Sequence, residues 1–156
     1  MGEAENKALV RRFYDEVWDG GNVEFAHEVF HDDYVRHDLR PAQAAPGAAG
    51  MAAIAAGFRS AFPDAHWRVD LMLAEGDLVA ARWTATGTFT GPWGAVQPTG
   101  KRAEFSGVNL YRFREGKVAE IWNHRDDLGL MEQVGAPVFA GAASEEVQGR
   151  GARPGG

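Results

Sequence analysis

The sequence predicts an α+β fold: a strongly bent antiparallel sheet with three N-terminal helices against its concave side. Two observations carry that expectation. Apolar residues recur at helical spacing as far as Phe62, then at alternate positions from Trp67 onward. Turn signals at Glu75-Gly76-Asp77 and Glu115-Gly116 join the extended stretches into hairpins, and helices followed by a run of hairpin-linked strands is an α+β order.

Residues 5–18, ENKALVRRFYDEVW, place Val10, Phe13, Tyr14, Val17 and Trp18 on one side of an amphipathic helix that Asp19-Gly20-Gly21 ends. Asn22 can cap a shorter helix, VEFAHEVF, with Phe25, Val29 and Phe30 inward. His31-Asp32-Asp33 breaks it, and 34–37 is a short extended piece. Residues 39–50, LRPAQAAPGAAG, read as a loop able to cover an opening. Met51, Ile54, Ala55, Phe58 and Phe62 mark a third helix, stopped at Pro63-Asp64. Trp67, Val69, Leu71 and Leu73 alternate along the first long strand, and 78–90 form the second. A loop, GPWGAVQPTGKR, leads to the strands 105–114 and 118–126, and LGLMEQV closes the domain as a helix. The expected domain is 1–136. Residues 137–156, ending EEVQGRGARPGG, lack periodicity and read as a disordered or extended tail.

A length of 156 residues suits one domain with a real core. The net charge of −6, with no basic cluster, argues against nucleic acid and anionic membrane as partners. The absence of cysteine excludes disulfides and thiolate chemistry and fits a reducing cytoplasm. No apolar run approaches bilayer length, so no membrane partner is expected. The histidines at 27, 31, 37, 66 and 124 are scattered, and only His27 and His31 have i,i+4 spacing, so no metal site is expected.

The candidate chemistry lies on the last strand. Side chains two apart share a face, so Glu120, Trp122, His124 and Asp126 are expected to point one way and Ile121, Asn123 and Arg125 the other. The first set joins an aromatic to a histidine and carboxylates, as a pocket wall for acid–base chemistry would. Asp126 or Asp127 can instead cap the helix that follows; two adjacent aspartates allow one to cap while its neighbour faces the cavity. Trp83 and Phe89 share a strand face and can stack on a planar ligand, while Asn109 and Tyr111 can donate to a ligand carbonyl. Arg82, Thr84, Thr86 and Thr88 form the opposite face, which, with Leu110 and Ile121 nearby, reads as a surface for sheet-to-sheet pairing.

The ordered motifs FYDEVW, YVRHD, AFPD, EGDLVAARWTATGTFTG, PTGK, REGKVAEIW and DDLGLMEQVG resemble the SnoaL-like polyketide cyclases over roughly residues 5 to 135. That family belongs to the cone-shaped α+β superfamily named after nuclear transport factor two. The resemblance implies an apolar pocket within a cone, usually in a homodimer or homotetramer. It implies a cofactor-independent intramolecular aldol closure of a small apolar or aromatic, polyketide-like ester. The motif E-x-W-x-x-x-D falls on Glu120, Trp122 and Asp126 and marks Asp126 as the general acid/base. His37 stands where the family has a histidine in its first short strand, and His37 or His124 would polarise a carbonyl or relay the proton. The family often has histidine after Gly-Thr, where this chain has Gly87-Thr88-Phe89. A binding domain without catalysis, or an epoxide hydrolase or dehydratase, are alternative uses of the same fold.

Overall fold

Val10, Phe13, Tyr14 and Val17 are almost fully buried, and this stripe is what docks the N-terminal segment on the sheet. In the computed structural model, which describes residues 2–37 and 46–136, the segment is helix α1 (Glu3–Arg12) running into a π-helical stretch, Phe13–Asp19. Gly21, at φ 76°, turns the chain away from it. The expected second helix is divided. A 3₁₀ turn, Val23–Phe25, leads into one turn of helix α2 (Ala26–Val29), and Phe30 already begins strand β1 (Phe30–Arg36).

Helix α3 (Gly47–Ala61) starts four residues before Met51, so residues 47–50 are helix and not covering loop; residues 39–45 of that expected loop lie outside the described residues, as does the tail from 137. Gly47 makes the early start possible. Its φ is 77°, and a Cβ there would stand 2.5 Å from the Asp32 carbonyl oxygen. The buried Ala48, Ala52 and Ala55 then let the helix lie close against β1.

Strands β2 (His66–Glu75), β3 (Leu78–Thr88), β4 (Arg102–Arg114) and β5 (Lys117–Arg125) follow, with helix α4 (Asp127–Val134) at the end. The sheet order is β1-β5-β4-β3-β2. The pairs β2–β3, β3–β4 and β4–β5 are antiparallel as expected, whereas β1 lies parallel to β5. Glu115 and Gly116 have φ 51° and 78°, the paired left-handed conformation that a tight two-residue hairpin requires.

Two expectations about strand faces are corrected. Trp67, Val69, Leu71 and Leu73 do not share a face. A bulge between Val69 and Leu71 shifts the register, so Trp67 is buried while Leu71 and Leu73 are 53% and 66% exposed on the outer surface. On β5, the inward set is Ile121, Asn123 and Arg125, the reverse of the expected one. The cross-strand pairs decide this: Tyr111 lies opposite Ile121, Asn109 opposite Asn123, and Gly107 opposite Arg125. With Tyr111 and Ile121 both 0% exposed, the parity of the whole strand follows. Ile121 is therefore core, not part of the outer threonine face.

An aromatic cluster fills the space between α3 and the sheet. Phe58 stacks on Phe62 at 4.7 Å and meets Trp67 and Trp93 edge-on, each at 5.3 Å. Among the described residues no helix is long and apolar enough to cross a membrane.

Candidate functional site

The rows of the sheet's inner face set out the cavity wall and the layer directly behind it. One row is Trp83, Gly107 and Arg125; the next is Ala81, Asn109 and Asn123; the third is Val79, Tyr111, Ile121 and Arg36. The π-helical stretch supplies Phe13, Tyr14 and Trp18 from the facing side, and α3 adds Met51, Ile54 and Phe58. The resulting cavity has a volume of about 770 Å³, within the range of sites for small organic molecules. Gly107 matters to its shape. A Cβ there would stand 2.5 Å from Cζ2 of Trp83, so glycine lets the indole lie flat across the wall.

Most of the lining is aromatic or aliphatic; besides Arg36, Asn123 and His124, its polar side chains form two groups. At the end near α4, Arg125 Nε donates to Asp127 Oδ1 at 2.5 Å, both side chains about three-quarters buried. The same guanidinium lies 4.9 Å from the centre of the Trp93 ring and 5.7 Å from that of Phe58, which holds it at the cavity edge. Deeper in, the Trp83 indole N–H points to Asn109 Oδ1 at 3.4 Å, Asn109 Nδ2 donates to the Tyr111 hydroxyl at 3.2 Å, and the Tyr111 and Tyr14 hydroxyls are 2.5 Å apart. Burial raises the pKa of both phenols above the ordinary tyrosine value.

Several residues expected at the site stand elsewhere. Asp126 is exposed and caps α4, its Oδ1 accepting from Gly129 N–H at 3.0 Å; Gly129 leaves room for it, since a Cβ there would lie 2.3 Å from Asp126 Oδ2. The two aspartates do divide the work of capping and facing the cavity, but Asp126 caps and Asp127 faces inward. His37 lies on the outer face of the sheet, stacked on Trp122 at 4.6 Å and 17°, with Nε2 3.0 Å from Glu120 Oε1. Trp122 is thereby an outer-face residue, not cavity wall. His124 is exposed and reaches the cavity only at its rim. Phe89 is fully buried but is core, stacked on Phe62 at 5.3 Å.

Trp83 and Asn109 do line the cavity, and Tyr111 lies directly behind that wall, bonded to Asn109 and Tyr14. Sequence reasoning missed Arg36, Asn123, Arg125 and Asp127, all of them lining residues. No local signal singled out Asp127, since either of the two adjacent aspartates can cap the helix that follows.

Comparison with known proteins agrees with this architecture. A search of curated proteins finds no match. Among solved structures, AclR from Streptomyces galilaeus, described as a candidate hydroxylase, is 31% identical with a TM-score of 0.74, covering 86% of this chain and 98% of its own. TsrD from Streptomyces laurentii is 26% identical with a TM-score of 0.78, covering 88% and 99%. A candidate SnoaL-like polyketide cyclase from Jannaschia is 28% identical with a TM-score of 0.77, covering 86% and 94%. The sequence profile of the SnoaL-like polyketide cyclases matches residues 8–134, so the chain belongs to that family and has its cone-shaped α+β fold.

Proposed function

We propose that this protein is a cofactor-independent cyclase that closes a polyketide-type ester by intramolecular aldol addition, with Asp127 as the general acid/base. The observation that carries the reading is that Asp127 is the one carboxylate among the described residues lining the cavity. Its oxygen removes a proton from a carbon flanked by carbonyls. The enolate then attacks a second carbonyl of the same molecule, forming the ring bond, and the resulting alkoxide takes the proton back. Arg125 holds the carboxylate in place, and the aromatic wall keeps the folded chain away from water.

The test is turnover of a polyketide-type ester with an enolisable carbon. Asp127→Asn is expected to lower kcat by about 10²–10⁴-fold, the usual worth of a positioned acid/base group. Asp126→Asn is expected to keep the wild-type rate. Full turnover by the Asp127→Asn protein would end the assignment.

The same reading extends to assembly. Val35, Leu71, Leu73, Val108 and Leu110 are exposed and stand on the sheet's outer face, and a second copy packing there as a homodimer would cover them. The cysteine-free chain fits a cytoplasmic setting.

A further inference from the structure

The hydrogens of the buried polar chain can be followed from one end to the other. An indole N–H only donates, so the Asn109 oxygen must face Trp83, and its amide nitrogen must face Tyr111. The Tyr111 oxygen therefore already accepts one hydrogen. Both phenols stay protonated at neutral pH because burial raises their pKa. Two hydroxyl hydrogens are present, and the bond shared by Tyr14 and Tyr111 uses one.

The position of the other hydrogen follows from burial. If Tyr14 were the donor in the shared bond, the Tyr111 hydrogen would be left at a group with no exposure and no place on the cavity wall. An unsatisfied donor there is costly. With Tyr111 as donor, the remaining hydrogen belongs to Tyr14, which lines the cavity. All the bonds then run one way, from Trp83 through Asn109 and Tyr111 to Tyr14, and each polarises the next.

We infer that the Tyr14 hydroxyl is the terminal donor of this chain and binds a carbonyl or enolate oxygen of a planar, apolar ligand at the deep end of the cavity, with Asn109 and Tyr111 as positioning residues. A ligand that engages both polar groups is long. The Tyr111 row and the Arg125 row are four residues apart on β4, which is about 13 Å along a strand. A molecule reaching from Tyr14 to the Arg125–Asp127 pair is therefore of bicyclic or larger size, with an oxygen at its buried end. This inference rests on the cavity being the substrate site proposed above, but not on the aldol step.

The test uses two probes of nearly equal shape, 2-acetylnaphthalene and 2-ethylnaphthalene, which differ in one carbonyl oxygen. Binding is read by quenching of the cavity tryptophans, and the bound ketone's C=O stretch by infrared difference spectroscopy. Wild-type protein is expected to prefer the ketone by about three- to tenfold, the range of one net hydrogen bond. Its C=O band is expected to move to lower wavenumber than in an aprotic solvent. Tyr14→Phe should abolish the preference and the band shift while leaving the hydrocarbon's affinity unchanged, and Tyr111→Phe should weaken the shift without removing it. If Tyr14→Phe fails to fold with Tyr111 unpartnered, the double change to phenylalanine removes both phenols and is read in the same way. A shift that survives loss of Tyr14, or a wild-type protein indifferent to the carbonyl, overturns the inference. Full turnover by Asp127→Asn together with an intact shift would sink the acid/base assignment alone.

Discussion

At the scale of single residues, the neighbours Asp126 and Asp127 show how position decides chemistry for identical side chains. Asp126 ends the strand and accepts from the third amide of α4, whereas Asp127 begins the helix one residue later and faces Arg125 across the cavity edge. Losing the cap removes one partner from an exposed helix end and touches nothing in the cavity. Asp126→Ala is therefore expected to cost about 1 kcal/mol of stability, or roughly 2–4 °C in Tm for a domain of this size. Turnover per folded molecule should stay at the wild-type level. Thermal unfolding by circular dichroism with a parallel assay checks it, and a variant with unaltered Tm would deny the cap its role. That one aspartate caps and the other faces inward was legible in the sequence; which did which was not. The answer depends on the parity of β5, which is fixed by its pairing with Tyr111 and Asn109 on another strand. Trp122 misled the reading for a related reason: expected on the pocket wall, its indole is instead covered by stacking on His37 of the outer face.

At the scale of elements, the hairpins and long strands were legible because turn residues and alternation are local signals. The bulge in β2 was not, since nothing in WRVDLML marks the skipped pairing. Its consequence is a carboxylate network between strands. Asp70, beside the bulge, accepts from Arg68 at 2.9 Å, from the Thr84 hydroxyl at 2.6 Å, and from Arg82. Burial opposes its charge, but these hydrogen bonds outweigh that and hold its pKa below the ordinary aspartate value. Asp64, just past α3, accepts from the Thr88 amide and hydroxyl, each at 2.7 Å, and those bonds likewise lower its pKa. A carboxylate whose folded pKa is depressed adds stability above the unfolded value, near 3.9, and loses it as pH falls through the lower folded value. Stability is thus expected to decline as the pH drops below about 4. Asp64→Asn and Asp70→Asn should each flatten that decline, measured as the urea midpoint at pH 5 and pH 3. An unchanged slope in both variants would show that neither carboxylate contributes to acid sensitivity.

At the scale of the whole molecule, the bent sheet has an inner face beside the cavity and an outer face that carries exposed apolar side chains. The inner face closes over the cavity with α3 and the π-helical stretch, while the outer face carries Thr84, Thr86 and Arg82 among exposed leucines and valines. The threonine side of that surface was legible from alternation. Its apolar content was underestimated, because the bulge turns Leu71 and Leu73 outward to join Val108 and Leu110. Five large apolar side chains on one sheet face are the kind of patch that pairing would cover, and a stable pair would need to bury about 800 Å² on each partner. The proposed homodimer is therefore expected to persist at micromolar concentration, by light scattering or sedimentation equilibrium. Leu110→Glu, which sets a charge within the patch, should give monomers of unchanged circular dichroism. Wild-type protein that sediments as a monomer would refute the pairing. The cavity lies on the other side of the sheet, so Leu110→Glu monomers should still bind the naphthyl ketone with wild-type affinity.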